Sequence, residues 1–166
     1  THQPQEQLWY EVETDWAGLL RSREGASIEL LNEQFNTTLP EFPLITGERA
    51  KAYRLLRRRH FRYGKPYLIT NVYIDESICE RLPRTALSTT TALRLINDVR
   101  GLTIGDVRQT MTIGQADVMI AEMLDIHLNA PIALVTRSAT DTQGRIIMIS
   151  DGVYRGDQVR IEMKLK

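Results

Sequence analysis

The sequence predicts an α+β fold, an antiparallel β-sheet with helices set around it. Three observations carry that expectation. Apolar and polar residues alternate over several segments, the period of a strand with one buried face, as in Val159, Ile161, Met163 and Leu165. These segments are separated mostly by short polar turns, not by the long crossovers of a parallel βαβ sheet. Helical spacing occurs only in short stretches, such as Leu93, Leu95, Ile96 and Val99. With 166 residues, 42% of them hydrophobic, the chain has the length of one domain and enough apolar side chain for a core.

Residues 1–7, THQPQEQ, are polar and expected to fray. Leu8, Tyr10 and Val12 alternate as a strand. Asp15 has the side chain of an N-cap for a short helix, WAGLLRSRE, which Gly25 ends. Ser27 to Phe35 reads as a strand, and Asn36 to Gly47, with two prolines, as a loop. Lys51 to Tyr63 and Tyr67 to Ile74 read as two strands joined by a Gly64-Lys65-Pro66 turn. Asp75-Glu76-Ser77 opens a helix that cannot pass Pro83. A helix over Thr89 to Arg100 stops at Gly101, and Thr103 to Ile113 alternates as a strand. Gln115 to Leu124 has helical character, with Val118, Met119, Ala121 and Met123 available for packing. The clearest hairpin follows: two apolar strands flank Asp141-Thr142-Gln143-Gly144, a polar turn with glycine where positive φ is cheap. Asp157 to Leu165 is expected to form a final strand.

Composition narrows the function. Lys plus Arg and Asp plus Glu each number 21, so the formal net charge is zero. Autonomous nucleic-acid binders carry a basic excess to neutralise phosphates. With no helix-turn-helix pattern either, this chain alone is not expected to bind DNA specifically. Cys79 is the single cysteine, which excludes an intrachain disulfide and fits a reducing compartment. The sequence shows no apolar run of membrane-spanning length and no signal-peptide core, so the expected location is the cytoplasm. The chain begins at Thr1 rather than Met, as a piece of a longer protein would. His2, His60 and His127 lie on different elements without metal-ligand spacing. No G-x-S-x-G, P-loop or G-x-G-x-x-G occurs, and Cys79 has no evident base. No catalytic residue, metal or cofactor is expected. Glu29 and Glu33 read as solvated.

One segment stands apart. LLRRRHFRYGKPYLITNVYID, Leu55 to Asp75, carries Arg57, Arg58, Arg59, His60 and Arg62 together. Such a cluster can hold nucleic acid, hold a small anion, or lie in water. Within it, RRHFRYGKPYLITNVYI has an R-x-R-like pair, then G-x-P and a strand. TALRLINDVRGLTI adds a central helix and strand. QADVMIAEMLDIHLNAPIALVTRSATDTQGRIIMISDGVYRGDQVRIEMKL adds a helix, a Pro-started strand, an Arg, a D-x-x-G turn, a Ser and Tyr-Arg-Gly-Asp. In order and spacing, from about Trp16 to Leu165, these segments resemble the UTRA domain. This is the effector-binding domain of GntR-superfamily transcription regulators of the HutC subfamily.

The resemblance implies a chorismate-lyase-like fold, an antiparallel sheet with helices around a ligand cleft, as one domain over residues 1–166. It also implies an upstream winged helix that binds DNA and that this chain does not show. It places Arg58 and His60 at the family's R-x-R positions. Two residues apart on a strand, they share a face roughly 7 Å apart, and Arg can supply a bidentate fork to a carboxylate or phosphate. His60 departs from the family, its charge varying near neutral pH. The alternative for both is a solvated edge strand. Thr91 falls at the family's helix-start Ser; Tyr154 matches the Tyr of Y-R-G-D; Ser150 keeps a family Ser. Thr70 and Met148 stand where sugar-binding relatives often have carboxylates, and either line the cleft or pack in the core. Arg137 matches a family Arg with a structural ion pair as its expected role, and Arg155 with Asp157 is expected to pair at a turn.

The sequence therefore predicts a ligand-sensing domain for a small anionic metabolite, homodimeric, acting on DNA only through an attached winged helix. The rival is a chorismate-lyase-like enzyme on a small aromatic or carboxylate substrate, against which stands the lack of a convincing acid–base pair.

Overall fold

The structure, a computed structural model, describes residues 9–20 and 25–166. Its chain order is β1 (Tyr10–Glu11), α1 (Trp16–Leu20), β2 (Ala26–Thr37), β3 (Glu48–Arg49), β4 (Tyr53–Arg62), β5 (Lys65–Asp75), α2 (Glu76–Cys79), α3 (Ala92–Asn97), β6 (Ile104–Gln115), α4 (Val118–Leu124), β7 (Pro131–Asp141), β8 (Arg145–Arg155) and β9 (Val159–Arg160). Single 3₁₀ turns cover Arg84–Ser88 and Gly156–Gln158. The long strands form one sheet in the order β2-β4-β5-β8-β7-β6, with every neighbouring pair antiparallel. β3 adds a short parallel pairing to β8, and β1 pairs in parallel with β9. This is the α+β architecture with a mostly antiparallel sheet that alternation and short turns predict.

Two turns set the central hairpins. β4 and β5 are joined by Tyr63-Gly64, not by Gly-Lys-Pro. Both residues have positive φ, 49° and 75°, the requirement of a two-residue hairpin turn that keeps the strand twist, and Lys65 and Pro66 already belong to β5. The β7–β8 turn lies where expected. Asp141 accepts hydrogen bonds from the backbone N–H groups of Gln143 and Arg145, and Gly144 takes φ 82°. The helices are short, and α1 and α2 are capped as their sequences suggest: Asp15 accepts from Gly18 N at 2.7 Å and Asp75 from Ser77 N at 3.0 Å.

The main core lies between one end of the sheet and the α2–α3 segment. Leu56, Val72, Ile74 and Met148 from the strands meet Ile78, Leu87, Leu93 and Ile96.

Three expectations are corrected. The final strand is two residues long; beyond Arg160 no strand partner is present among the described residues, and Met163 and Leu165 are exposed. On α4 the packing side chain is Leu124, while Val118 and Met119 face solvent. Glu33 is not solvated: it receives Arg84 at 2.8 Å and 2.9 Å and Arg54 at 3.4 Å. The frayed segment, Leu8 and the end of the first helix over residues 21–24 lie outside the described residues.

Candidate anion-binding site

Strand register maps the inner face of the sheet into rows. Residues two apart on a strand share a face. One row runs Arg58, Thr70, Gly152, Val135 across β4, β5, β8 and β7. The next runs His60, Leu68, Tyr154, Ala133, and the row on the other side runs Leu56, Val72, Ser150, Arg137, Gln109. Over these rows lies a cavity of about 250 Å³. Arg58, His60, Thr70, Ser150, Tyr154 and Arg137 form its sheet wall. Thr89, Thr90, Thr91 and Ala92, at the entry to α3, form one side, and Ala26 and Ile28 of β2 another. Gly18 and Leu19 of α1, with Glu13 before it, cover it, and Tyr67, Leu68 and Arg94 also line it. A Cβ on Gly18 would lie 2.3 Å from Glu13 Oε2, so no larger residue fits there without displacing that carboxylate.

Arg58 is the centre of the site. It is fully enclosed, at 0% exposure. Its Nη1 donates to Leu87 O at 3.1 Å and Thr90 O at 2.6 Å, which fastens β4 to the segment before α3. Its Nε and Nη2 are buried without a partner, and so is the hydroxyl of Thr91. Burial lowers the Arg58 pKa to about 10, so the group remains a cation at neutral pH. Buried polar groups are nearly always paired, and an unpaired one costs about 1–3 kcal/mol. Three unpaired donors around one cavity are therefore unusual for a merely structural arrangement.

The other lining groups are better satisfied. His60 is buried, with Nε2 3.5 Å from Thr70 Oγ1 and its ring edge-on to Tyr67 at 6.2 Å. Tyr67 in turn lies 6.3 Å from Tyr154. Tyr67 is the extra residue of a β-bulge, because His60 faces Leu68 while Phe61 faces Pro66. A bulge re-aims a side chain, and this one adds Tyr67 to the cavity lining. Arg137 Nε donates to Gln109 Oε1 at 2.6 Å, and Gln109 Nε2 donates to Glu13 O at 3.2 Å. A hydrogen-bonded chain thus runs from the cavity wall through β6 to the segment covering the cavity. Arg137 has that amide as its partner rather than the expected ion pair.

Six of the seven residues singled out in the sequence come together here: Arg58, His60, Thr70, Thr91, Ser150 and Tyr154. Met148 does not. It is on the correct face but one row too far along, paired with Ile74 and Ala139 under the α2–α3 segment, at 0% exposure within the main core. The outward residues of the basic run have other partners: Arg59 pairs with Glu29 at 3.0 Å, and Arg57 Nη2 lies 3.3 Å from the Met119 sulfur. Arg62 shares the face of Arg58 but sits at the hairpin end, donating to Trp9 O at 3.4 Å. Arg155 and Asp157 pair at 3.0 Å, as expected. Cys79 is enclosed, and burial pushes its thiol up to about 11, away from a reactive thiolate. Sequence reading missed Tyr67, Glu13 and Thr90. The bulge and the covering segment carry no short-range signal, and Thr90 contributes its main-chain carbonyl, which no side-chain pattern reveals.

Fold and cavity together define an α+β domain built on an antiparallel sheet, with a cavity of about 250 Å³ on one face. The chain belongs to the UTRA domain family, whose pattern it matches over residues 46–160. No curated protein sequence matches it. Among solved structures it is similar to a possible transcriptional regulator, YydK, from Bacillus subtilis, with 16% identity, TM-score 0.71, and coverage of 99% of this chain and 70% of that one. The effector domain of PhnF from Mycobacterium smegmatis matches with 18% identity, TM-score 0.63, over 85% of this chain and 87% of that one. The C-terminal domain of the histidine utilization repressor from Pseudomonas syringae matches with 11% identity, TM-score 0.62, over 85% and 99%. What these structures share with the chain is the fold. No helix among the described residues is long and apolar enough to cross a membrane.

Proposed function

We propose that this chain is one ligand-sensing domain of a GntR-type transcription regulator, cytoplasmic and homodimeric. It binds a small anionic metabolite in the cavity against Arg58, and binding alters DNA binding by an attached winged helix. The observation that carries this reading is an enclosed guanidinium that lines a cavity with two donor atoms unpaired. A ligand oxyanion would satisfy both at once. The family and the neighbouring effector domains support the regulatory context. The domain acts by binding rather than catalysis; among the described residues the cavity lining includes a single carboxylate, Glu13. A ligand can switch such a protein only by binding its two states unequally.

The test is a thermal-shift screen of metabolites followed by calorimetry on the chain and on Arg58→Ala. A ligand that stabilises the wild type is expected to lose about 1.5–3 kcal/mol of binding in the variant, the range for a hydrogen bond to a charged group, with circular dichroism unchanged. Equal affinity in a folded Arg58→Ala removes Arg58 from the site.

A further inference from the structure

The chemistry of the site narrows the anion further, on the reading that Arg58 receives it. A guanidinium offers two forks: Nη1 with Nη2 at its end, and Nε with Nη2 along its side. Here the end fork is unavailable, because Nη1 is spent on the carbonyls of Leu87 and Thr90. The side fork is open, since Nε and Nη2 are the two unpaired atoms. That fork presents two parallel N–H groups, the match for two oxygens of one planar group. The third unpaired side-chain donor is Thr91 Oγ1. Three donors suffice for a carboxylate. A phosphate monoester brings three terminal oxygens and a charge of about −1.5 to −2 at neutral pH, for which this pocket has one enclosed arginine among the described residues.

The remaining charges do not change that balance. His60 lies in the next row, and its Nε2 already faces a hydroxyl, Thr70 Oγ1 at 3.5 Å. Arg94 is exposed and pairs with Asp98 at 3.6 Å. Arg137 is only partly buried, is held by Gln109, and shares the lining with the Glu13 carboxylate. A dianion at Arg58 would leave one negative charge enclosed without a partner, which is costly at low dielectric. Beyond the fork, the wall changes character. Ile28 and Leu68 are aliphatic, and the rings of His60, Tyr67 and Tyr154 follow one another at 6.2 Å and 6.3 Å. Such a wall suits a flat apolar body.

We propose that the ligand meets the open side fork of Arg58 through a single carboxylate, carried on a flat apolar or aromatic body that lies toward His60, Tyr67 and Tyr154. The probes are benzoate and phenyl phosphate, which share a ring and differ in the anion, with glucosamine 6-phosphate as the hydroxylated comparison. Each is titrated into the ¹⁵N-labelled chain while the Arg58 Nε–H resonance is followed; Arg58→Lys, which keeps the charge and loses Nε–H, assigns it. Benzoate is expected to move that resonance and to bind about tenfold tighter than phenyl phosphate at neutral pH. The gap should narrow below the second phosphate pKa of about 6. Arg58→Lys should bind benzoate at least about tenfold more weakly. If either phosphate binds tighter through Arg58, the carboxylate assignment falls and the anion site stands. Benzoate binding equally well to Arg58→Lys overturns the fork. If no probe moves the Arg58 resonance at saturating concentration, the anion site falls and this assignment with it.

Discussion

Arg54 and Arg58 lie four residues apart on one face of β4, and both are buried. Arg54 is enclosed with carboxylates: its guanidinium meets Glu76 through both Nε and Nη2, and Glu33 at 3.4 Å. Burial alone would lower its pKa, but the hydrogen bond to Glu76 and the negative charges around it, Glu76 and Glu33 among them, leave it raised. Arg58 is enclosed with none. It has two backbone carbonyls and two donor atoms without a partner. The same residue type, strand and face thus yield a finished ion network at one end and an open valence at the other. The network ties β2, β4 and α2 to the Arg84–Ser88 turn, which holds the core end of the sheet closed. The open end is where the cavity lies. Burial of an arginine does not by itself signal binding; the test is whether its donors are all used.

The contrast can be broken at either end. The largest effect is expected from Met148→Glu. Met148 lies in the row of Arg54 and Ile74, within the core. A carboxylate there is buried without a partner, and more than about 4 kcal/mol of stability should go, enough to unfold many domains. Urea denaturation checks it. A folded variant with altered ligand preference would place Met148 in the cavity after all. Next, Glu76→Ala leaves the buried Arg54 cation with Glu33, at 3.4 Å, as its remaining carboxylate, and should cost up to about 3–5 kcal/mol, the penalty of halving a buried pair. Ligand affinity measured well below the melting temperature should stay within about twofold of wild type, because the Arg58 fork is untouched. The smallest effect belongs to Thr91→Val. It removes an unpaired buried hydroxyl at nearly constant volume, so the free chain should be unchanged or up to about 1 kcal/mol more stable, while an anion at Arg58 loses about 0.5–1.5 kcal/mol. Denaturation and calorimetry on the same sample separate the two signs.

Much of this was legible in the sequence: strand alternation puts Arg58 and His60 on one face, and the family resemblance set Thr70, Thr91, Ser150 and Tyr154 beside them before any coordinates. What alternation cannot fix is how far along the face a covering helix reaches. Met148 has the right parity and is still capped by the α2–α3 segment. Register is equally invisible, so the bulge that brings Tyr67 to the wall left no trace in the pattern of β5. The last residues show the reverse failure. Val159, Ile161, Met163 and Leu165 alternate as a strand should, but alternation describes a face and not a partner, and among the described residues this segment has a strand pairing of two residues, against β1. Glu33 was misread because its partners, Arg54 and Arg84, lie 21 and 51 residues away in the chain.

That small pairing has a topological consequence. Tyr10 stands opposite Val159 and Glu11 opposite Arg160, and Val12 N donates to Arg160 O at 2.9 Å. The path therefore leaves one corner of the molecule, traces the whole sheet and returns to the same corner, almost a closed loop. β1 and β9, near the two ends of the described path, thus lie side by side. For the same reason a circular permutant, with the two ends joined by a short flexible peptide and the chain reopened in the Thr142–Gly144 turn, should keep every strand neighbour it has now.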